Sequence, residues 1–464
     1  MTVATLQRNA TGFKERNKSY FTAFNNDITP SSIACPESVD KVARLVREAV
    51  HCNAEIGVRG GGHTPWKGAA NLEDRLVIDM RNLTGVTVNT EKSTVSIRAG
   101  ERWGNVYETL AAEGLATIGG RVSRVGAIGL TLGGGLSYFS GRHGFVCDAV
   151  SNFEVVLASG EIVNANKTTN PDLFTALKGG SNNFGIVTKI DLPTFPLGKL
   201  WGGMTVHPGT SYPDAARALK NYVTSPTPDP DAHLLLSMGW AAMMGGELTV
   251  LSLYHANHST VEPGPASLSE FTAIQPRLNS SLREASLVEF TAEQSSFSVD
   301  GGRNLYFTTS IKPDLDLLVG VQELFRKAIE PIQGCKDLAF SIVLQPMTAQ
   351  MLRRSAEAGQ NALGIPADDG PYINVLINPV WSESKDDEKI VQTSLDLIEA
   401  VDKAAEAKGK AARYRFMNYS YGSQKVIESY GDESVQFLRD VSGKYDPEGF
   451  FQKNVPGGFK LGIH

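Results

Sequence analysis

Apolar residues recur along this chain with two different periods. Val39, Val42, Leu45, Val46 and Val50 return every three or four positions, which places them on one face of a helix. Pro36 suits the first turn of that helix, where a backbone N–H would have no partner anyway. Short apolar runs at 55–58 and 76–80 read as buried strands, and 86–88 with 94–97 as a hairpin about residues 89–92. A helix is predicted over 103–112 and a second hairpin over 154–158 and 161–164, turning at Ser159-Gly160. Asn170-Pro171-Asp172 predicts a helix start, with Asn170 as N-cap, proline in the first turn and an acid at the positive end. Leu173, Phe174 and Leu177 give that helix its buried face, and a strand over 186–190 follows. The first 30 residues or so are polar and lack a period, so they read as an irregular arm.

After Pro193 the texture changes. Runs at 201–207, 234–240, 248–255, 338–344 and 372–381 read as strands, while 313–332 and 385–408 have helical period and a helix over 433–441 closes the chain. The pattern predicts an α+β protein whose second part is an antiparallel sheet flanked by helices. The expected division is 1–195, then 196–425, then a segment 426–464 that returns to the first part.

Glycine alters this picture most. The chain of 464 residues holds 46 glycines, crowded between residues 57 and 185. In Ile56-Gly57-Val58-Arg59-Gly60-Gly61-Gly62-His63 a strand runs into three glycines and a histidine. Such a run weakens regular structure, because glycine loses the most backbone freedom on folding. It persists where the backbone needs positive φ or where something must approach it closely. Successive N–H groups in such a turn can cradle an anion, phosphate above all, with His63 at the rim. A glycine-rich surface loop is the plainer alternative. A second block, 117–135, has six glycines from Gly119 to Gly134 and then Gly135. Backbone laid against a flat ligand and tight helix packing account for it equally. Neither run is a G-x-G-x-x-G turn with its helix and downstream acid, so a nicotinamide-binding Rossmann fold fits poorly. P-loop, G-x-S-x-G and H-E-x-x-H motifs are absent.

Composition narrows the partners. With 41% hydrophobic and 20% charged residues the chain is ordinary for a globular protein. A net charge of −6 offers nothing for nucleic acid or an anionic membrane. No apolar run is long enough to span a bilayer, and the N-terminus lacks the apolar core of a signal peptide, so a cytoplasmic protein is expected. Cys35, Cys52, Cys147 and Cys335 have no metal-ligand spacing and read as buried thiols, and no metal is expected.

Six blocks, in order, carry a resemblance: RGGGHTPWKGA (59–69), LVIDMRNL (76–83), the glycine-rich block 119–135, GFVCDAVSNFEVVLASGEIV (144–163), NPDLFTALKGGSNNFGIVT (170–188) and KYDPEGFF (444–451). Together they resemble the FAD-linked oxidases of the berberine bridge enzyme-like group, in the vanillyl-alcohol oxidase superfamily. The similarity is dense over 30–195 and returns at 430–455. The resemblance implies a two-part PCMH-type FAD-binding domain with an α+β substrate domain, and FAD between them. Arg59, Gly60, Gly61, Gly62 and His63, with Gly120, Val122, Val125, Gly126, Gly129 and Gly133, would hold the cofactor, and Gly185 and Ile186 would lie nearby. His63 matches the histidine that bonds to the flavin 8α-methyl carbon, a role open to a neutral imidazole. Many members add a second link through a cysteine in G-x-C-P-T-x-G. Here that position is Val122, so a single covalent attachment is expected. Val125 falls where the family gates oxygen, and a valine is compatible with an oxidase.

The base is less legible. Family members use a carboxylate or tyrosinate from the substrate domain while hydride leaves to the flavin. The strand 372–381 offers Asn374 and Asn378, and an asparagine is no general base near neutral pH. Arg415-Phe416-Met417-Asn418-Tyr419 resembles the family's Asn-Tyr segment, which makes Tyr419 the leading base, and a cationic neighbour would be needed to ionise it. Tyr138 and His143 follow the glycine block and are further candidates. The expected activity is oxidation of a small organic substrate, a secondary-metabolite intermediate, with O2 as acceptor and H2O2 as product. The absent carboxylate keeps open a non-redox isomerase or cyclase on the same scaffold. Substrate identity and oligomeric state are not readable.

Overall fold

A computed structural model describes residues 3–462 except 258, 259 and 261. The first two residues of the expected arm and the last two of the C-terminal segment lie outside the described residues.

Three sheets organise the chain. The first has four strands in the order Thr5–Gln7, Ser32–Ala34, Leu76–Asp79 and Ile56–Arg59. Its last three strands run parallel, and the first is antiparallel to its neighbour. The second sheet is antiparallel, with Val86–Asn89, Thr94–Arg98, Ile186–Pro196, Asn152–Val156 and Ile162–Asn166 side by side. Leu115–Thr117 pairs with the far end of Ile186–Pro196, which runs past the expected end at 190.

The arm is the first departure from the sequence reading. It holds a strand and two short helices, Phe13–Asn17 and Ala23–Asn26. Phe13, Tyr20 and Phe21 are buried without any period to announce them. The helix expected from Pro36 begins instead at Val39, because the Ser38 side chain accepts the N–H of Lys41 and caps it. Asn170 precedes its helix at φ 48°, in the left-handed region asparagine tolerates, and donates to the carbonyl of Asn164 at 2.9 Å in place of a cap. Cys35, Cys147 and Cys335 are buried, but Cys52, at the end of the helix Val39–His51, is exposed.

The third sheet is antiparallel throughout and has nine strands. Its five long strands are Leu200–Pro208, Gly246–His255, Ala232–Ala241, Ala339–Met347 and Tyr372–Trp381. Alternation along these strands separates two faces. Leu234, Leu236, Leu251, Ile342, Val375 and Ile377 pack with the helices Tyr212–Val223, Leu315–Ile329 and Asp387–Ala407 in one core. The intervening residues, among them Leu235, Ser237, Val250, Val343, Gln345 and Leu376, face a cavity. A second, larger core fills the space between the first two sheets. Among the described residues no helix is long and apolar enough to cross a membrane.

Candidate active site

One cavity of about 910 Å³ lies between the open face of the third sheet and the two glycine-rich turns. Met244 and Phe297, each 57% exposed, line it where it meets solvent.

The turns meet backbone to backbone. A Cβ on Gly61 would sit 2.5 Å from Gly126 Cα, and one on Gly126 would sit 2.6 Å from Gly61 N, so neither position admits a side chain. Gly129 is different: it lines the cavity, is exposed to it, and a Cβ there would meet no protein atom within 4 Å. Among the described residues the amides of Gly61, Gly62 and His63 meet no protein acceptor. Gly60, Gly62, Val122, Val125, Gly133, Gly185 and Ile186 also line the cavity.

Two cofactor candidates do not. Gly120 packs on the indole of Trp103, 2.6 Å from where its Cβ would stand. Arg59 turns away into the N-terminal arm. It donates to the carbonyls of Arg16, at 2.8 Å, and of Ser19, and lies over the ring of Tyr20 at 3.5 Å. Burial pulls its pKa down to about 10, and Asp79, 3.7 Å away, opposes that shift. The arginine of the glycine motif therefore anchors the arm over the turn.

His63 faces the cavity with Phe21 stacked on it, ring centroids 3.8 Å apart. Its partial accessibility is to the cavity, since the ring lies deep in the protein. Burial, with Arg102 and Arg124 adding like charge, lowers its pKa to about 3, so the imidazole is neutral at working pH.

Tyr419 stands beside the second glycine block, where its neighbour Asn418 accepts from the Gly135 N–H at 3.1 Å and donates to the carbonyl of Leu130 at 3.1 Å. The Tyr419 hydroxyl accepts from Arg121 at 2.6 Å, and Arg121 also donates to Gln345 Oε1 at 2.7 Å. A third contact joins Arg121 to His233 Nε2 at 3.0 Å. Burial and the guanidinium hold His233 well below its usual pKa, which leaves Nε2 able to accept. Tyr306 meets Tyr419 edge-on at 5.9 Å and also contacts Phe21, so an aromatic chain runs from Tyr419 to the ring stacked on His63. Tyr138 lines the cavity, but burial raises its pKa far above 10 and its hydroxyl donates to the carbonyl of Arg121 at 3.3 Å.

Asn378 lines the cavity and donates to Asn304 and Leu305. Asn374 does not reach the cavity. It is fully buried and donates to Thr308 Oγ1 at 2.8 Å and to the carbonyl of Thr309 at 3.2 Å. His143 stacks on Phe195 outside the cavity. Cys147 is also elsewhere, buried beside Asp148. Arg121, Gln345, His233 and Tyr306 escaped the sequence reading. Only Arg121 stood inside a motif that could have flagged it. Outside the cavity Asp229, Asp231 and His255 converge within 4.8 Å, but Asp229 is bonded to Ser267 and His255, and Asp231 to Arg142.

Comparison with known proteins assigns the class. The FAD binding domain family matches residues 30–166. The FAD-dependent monooxygenase tpcD of Cochliobolus heterostrophus is 34% identical over 441 residues, 93% of this chain and 85% of its own. The FAD-dependent monooxygenase FUP4 of Fusarium proliferatum is 32% identical over 96% of this chain and 88% of its own. Among solved structures, 6-hydroxy-D-nicotine oxidase from Arthrobacter nicotinovorans superposes with a TM-score of 0.81 at 22% identity, covering 98% of this chain and 97% of that one. Glucooligosaccharide oxidase from Acremonium strictum, described as carrying a 6-S-cysteinyl, 8α-N1-histidyl FAD, gives 0.80 at 17% identity over 100% and 98%. This chain is an FAD-dependent oxidoreductase. It belongs to the family of FAD-dependent monooxygenases that tpcD and FUP4 represent, and its fold is that of the PCMH-type FAD oxidases, the berberine bridge enzyme-like proteins among them.

The site fits that cofactor on its own terms. Unbonded amides, a glycine whose missing side chain no protein atom requires, and a cavity at the upper end of the usual range for small-molecule sites all stand on one wall.

Proposed function

We propose that this protein oxidises a small organic substrate, an intermediate of secondary metabolism, with FAD as hydride acceptor and O2 as the final acceptor, releasing H2O2. The observation that carries the reading is that His63, the glycine turns and Tyr419 open onto one cavity. When bound, FAD supplies the electron-accepting chemistry that no side chain here possesses. Residues 1–195 with 426–464 hold the cofactor, and 196–425 close over the substrate. Gly60, Gly61, Gly62, Gly126 and Gly129 provide the backbone against which it lies. His63, neutral and facing the cavity, is the attachment point. Val122 stands where the Acremonium enzyme's family has its cysteinyl arm, so the attachment is single.

Tyr419 takes the substrate's proton. Arg121 donates into its phenol oxygen, an arrangement that stabilises negative charge on that oxygen. Tyr306 and Phe416 fix the plane of the ring, and Val125 leaves space for O2 on the cavity wall.

Two measurements test the reading. Flavin that stays with the denatured polypeptide, by absorbance and intact mass, and is lost in His63→Ala is expected; intact FAD released from the wild type would refute the attachment. Anaerobic substrate should bleach the flavin. Product formed while the flavin stays oxidised would favour the isomerase or cyclase reading, for which the lack of any carboxylate among the described cavity residues speaks. The curated relatives' names favour oxygen insertion as a second reading, and labelled O2 decides between label in the product and label in H2O2.

A further inference from the structure

The charge balance of the cavity is one-sided. Among its described lining residues there is no aspartate or glutamate, and with His63 neutral the one cation is Arg121. Arg121 is 8% exposed, and none of the three side chains it touches, Gln345, Tyr419 and His233, is a carboxylate. Taking an ion out of water costs several kcal/mol unless a counter-charge or a full set of hydrogen bonds offsets it. Elsewhere this fold supplies the counter-charge: buried Arg59 faces Asp79, Arg303 pairs with Asp387, and Arg415 with Asp402. Arg121 is given no carboxylate partner.

A second group at the same place points the same way. Gln345 is 1% exposed and lines the cavity, and its Oε1 is taken by Arg121. Its Nε2 donor has no partner, although Asn374, directly across the strand pair, leaves Oδ1 unbonded too. A buried donor left unmade costs about 1–3 kcal/mol. Beyond this end the sheet face is mostly apolar, with Val206, Leu235, Val250, Val343 and Leu376 interrupted by Ser237, Ser252 and Asn378, and Met244 and Phe297 line the mouth.

We propose that the substrate binds through an anionic oxygen, a carboxylate or the enolate or phenolate oxygen of a ring, held by Arg121, whose guanidinium Gln345 positions, with an apolar body along the sheet. This rests on the cavity being the substrate site of the proposed oxidoreductase and names the class of molecule it takes. Charge-assisted bonds from a guanidinium to such an oxygen are about twice as strong as neutral ones. Arg121 then serves two oxygens, that of the substrate and that of Tyr419, so one cation positions the ligand and steadies the proton acceptor.

The test uses the holoprotein and two probes of equal shape, 2-naphthoate and the neutral 2-naphthamide, with binding read by calorimetry. The anion is expected to bind at least tenfold more tightly. Arg121→Gln should bring the two within twofold of each other, Arg121→Lys should keep part of the preference, and Gln345→Leu should reduce it. Equal binding in the wild type, or no measurable binding of the anion, overturns the proposal. So does a preference that both Arg121→Gln and Gln345→Leu leave unchanged, which would place the anion elsewhere. If Arg121→Gln does not fold, Gln345→Leu and the wild-type pair still decide. Flavin content, read separately by absorbance, shows whether the oxidoreductase reading has failed, independently of which probe binds.

Discussion

Gly129→Ala separates what the protein needs from what its ligand needs. Gly129 lies inside the short helix Ala127–Leu132, and its Cβ would meet nothing within 4 Å. In the protein alone, alanine there relieves a helix of its glycine, a gain of about 0.5–1 kcal/mol. With the cofactor in place the same methyl intrudes on the cavity wall. Overpacking of a filled site costs about 1–3 kcal/mol, equivalent to roughly 5- to 150-fold in affinity at about 1.4 kcal/mol per tenfold. Gly61→Ala is the contrast, because its Cβ would press on Gly126 Cα at 2.5 Å, against an ordinary contact of 3.4–4 Å. That substitution forces two backbones apart with or without ligand. Both are best made on His63→Ala, which removes the proposed attachment point and leaves FAD binding a reversible equilibrium. Urea unfolding of the apoprotein and titration with FAD give the two quantities. Gly129→Ala should be at least as stable as its parent yet bind FAD five-fold or more weakly, and Gly61→Ala should lose both. FAD affinity within twofold of the parent for Gly129→Ala would refute the argument that the open side of this glycine belongs to the cofactor.

Other consequences are more local. Arg59→Met should free the N-terminal arm, since it removes the bonds to Arg16 and Ser19 and the ring contact to Tyr20; proteolysis ahead of residue 56 should accelerate, with a stability loss of about 3–5 kcal/mol for breaking a buried charged network. Unchanged cleavage would remove that role. Tyr419→Phe should lower turnover at least tenfold while flavin content stays at the wild-type level, and equal turnover would strike Tyr419 from the mechanism. Asp148 has its pKa raised to about 6 by burial. The folded state therefore holds a proton that the unfolded state releases above about pH 4. Stability falls as pH rises from about 4 to 6, by at most about 3 kcal/mol at 1.36 kcal/mol per unit. The difference in unfolding free energy between wild type and Asp148→Asn should change across that window, and a constant difference would contradict the buried, protonated carboxyl.

The regular elements were legible where one period held long enough. The strand 372–381 and the helix after Pro313 are set by alternation and by a continuous apolar stripe, and both stand within a few residues of their predicted ends. The arm was not legible, because Phe13, Tyr20 and Phe21 are buried one at a time, each against a partner distant in sequence. Arg59 shows the same limit from the other side. Its place in the glycine motif suggested the cofactor, but the strand Ile56–Arg59 alternates its faces, and the guanidinium falls on the side opposite the cavity, beneath Tyr20 and beside Asp79.

The site divides along the same line. Backbone chemistry could be read, since a glycine run announces close approach whatever folds around it, and Gly61, Gly126 and Gly129 do face the cavity. Side-chain chemistry could not, because it is assembled across hundreds of residues. Arg121 stands 224 positions from Gln345 and 298 from Tyr419, and no local pattern joins them. The sequence reading sought an acid on 372–381 and found asparagines. The structure explains why an acid there would be out of place. Asn374 is bonded away among threonines, and the neighbouring strand brings Gln345, a neutral acceptor for Arg121, to the register position directly opposite. A carboxylate in place of Gln345 would pair with the guanidinium permanently. With an amide there, the charge stays available to Tyr419 and to whatever enters the cavity.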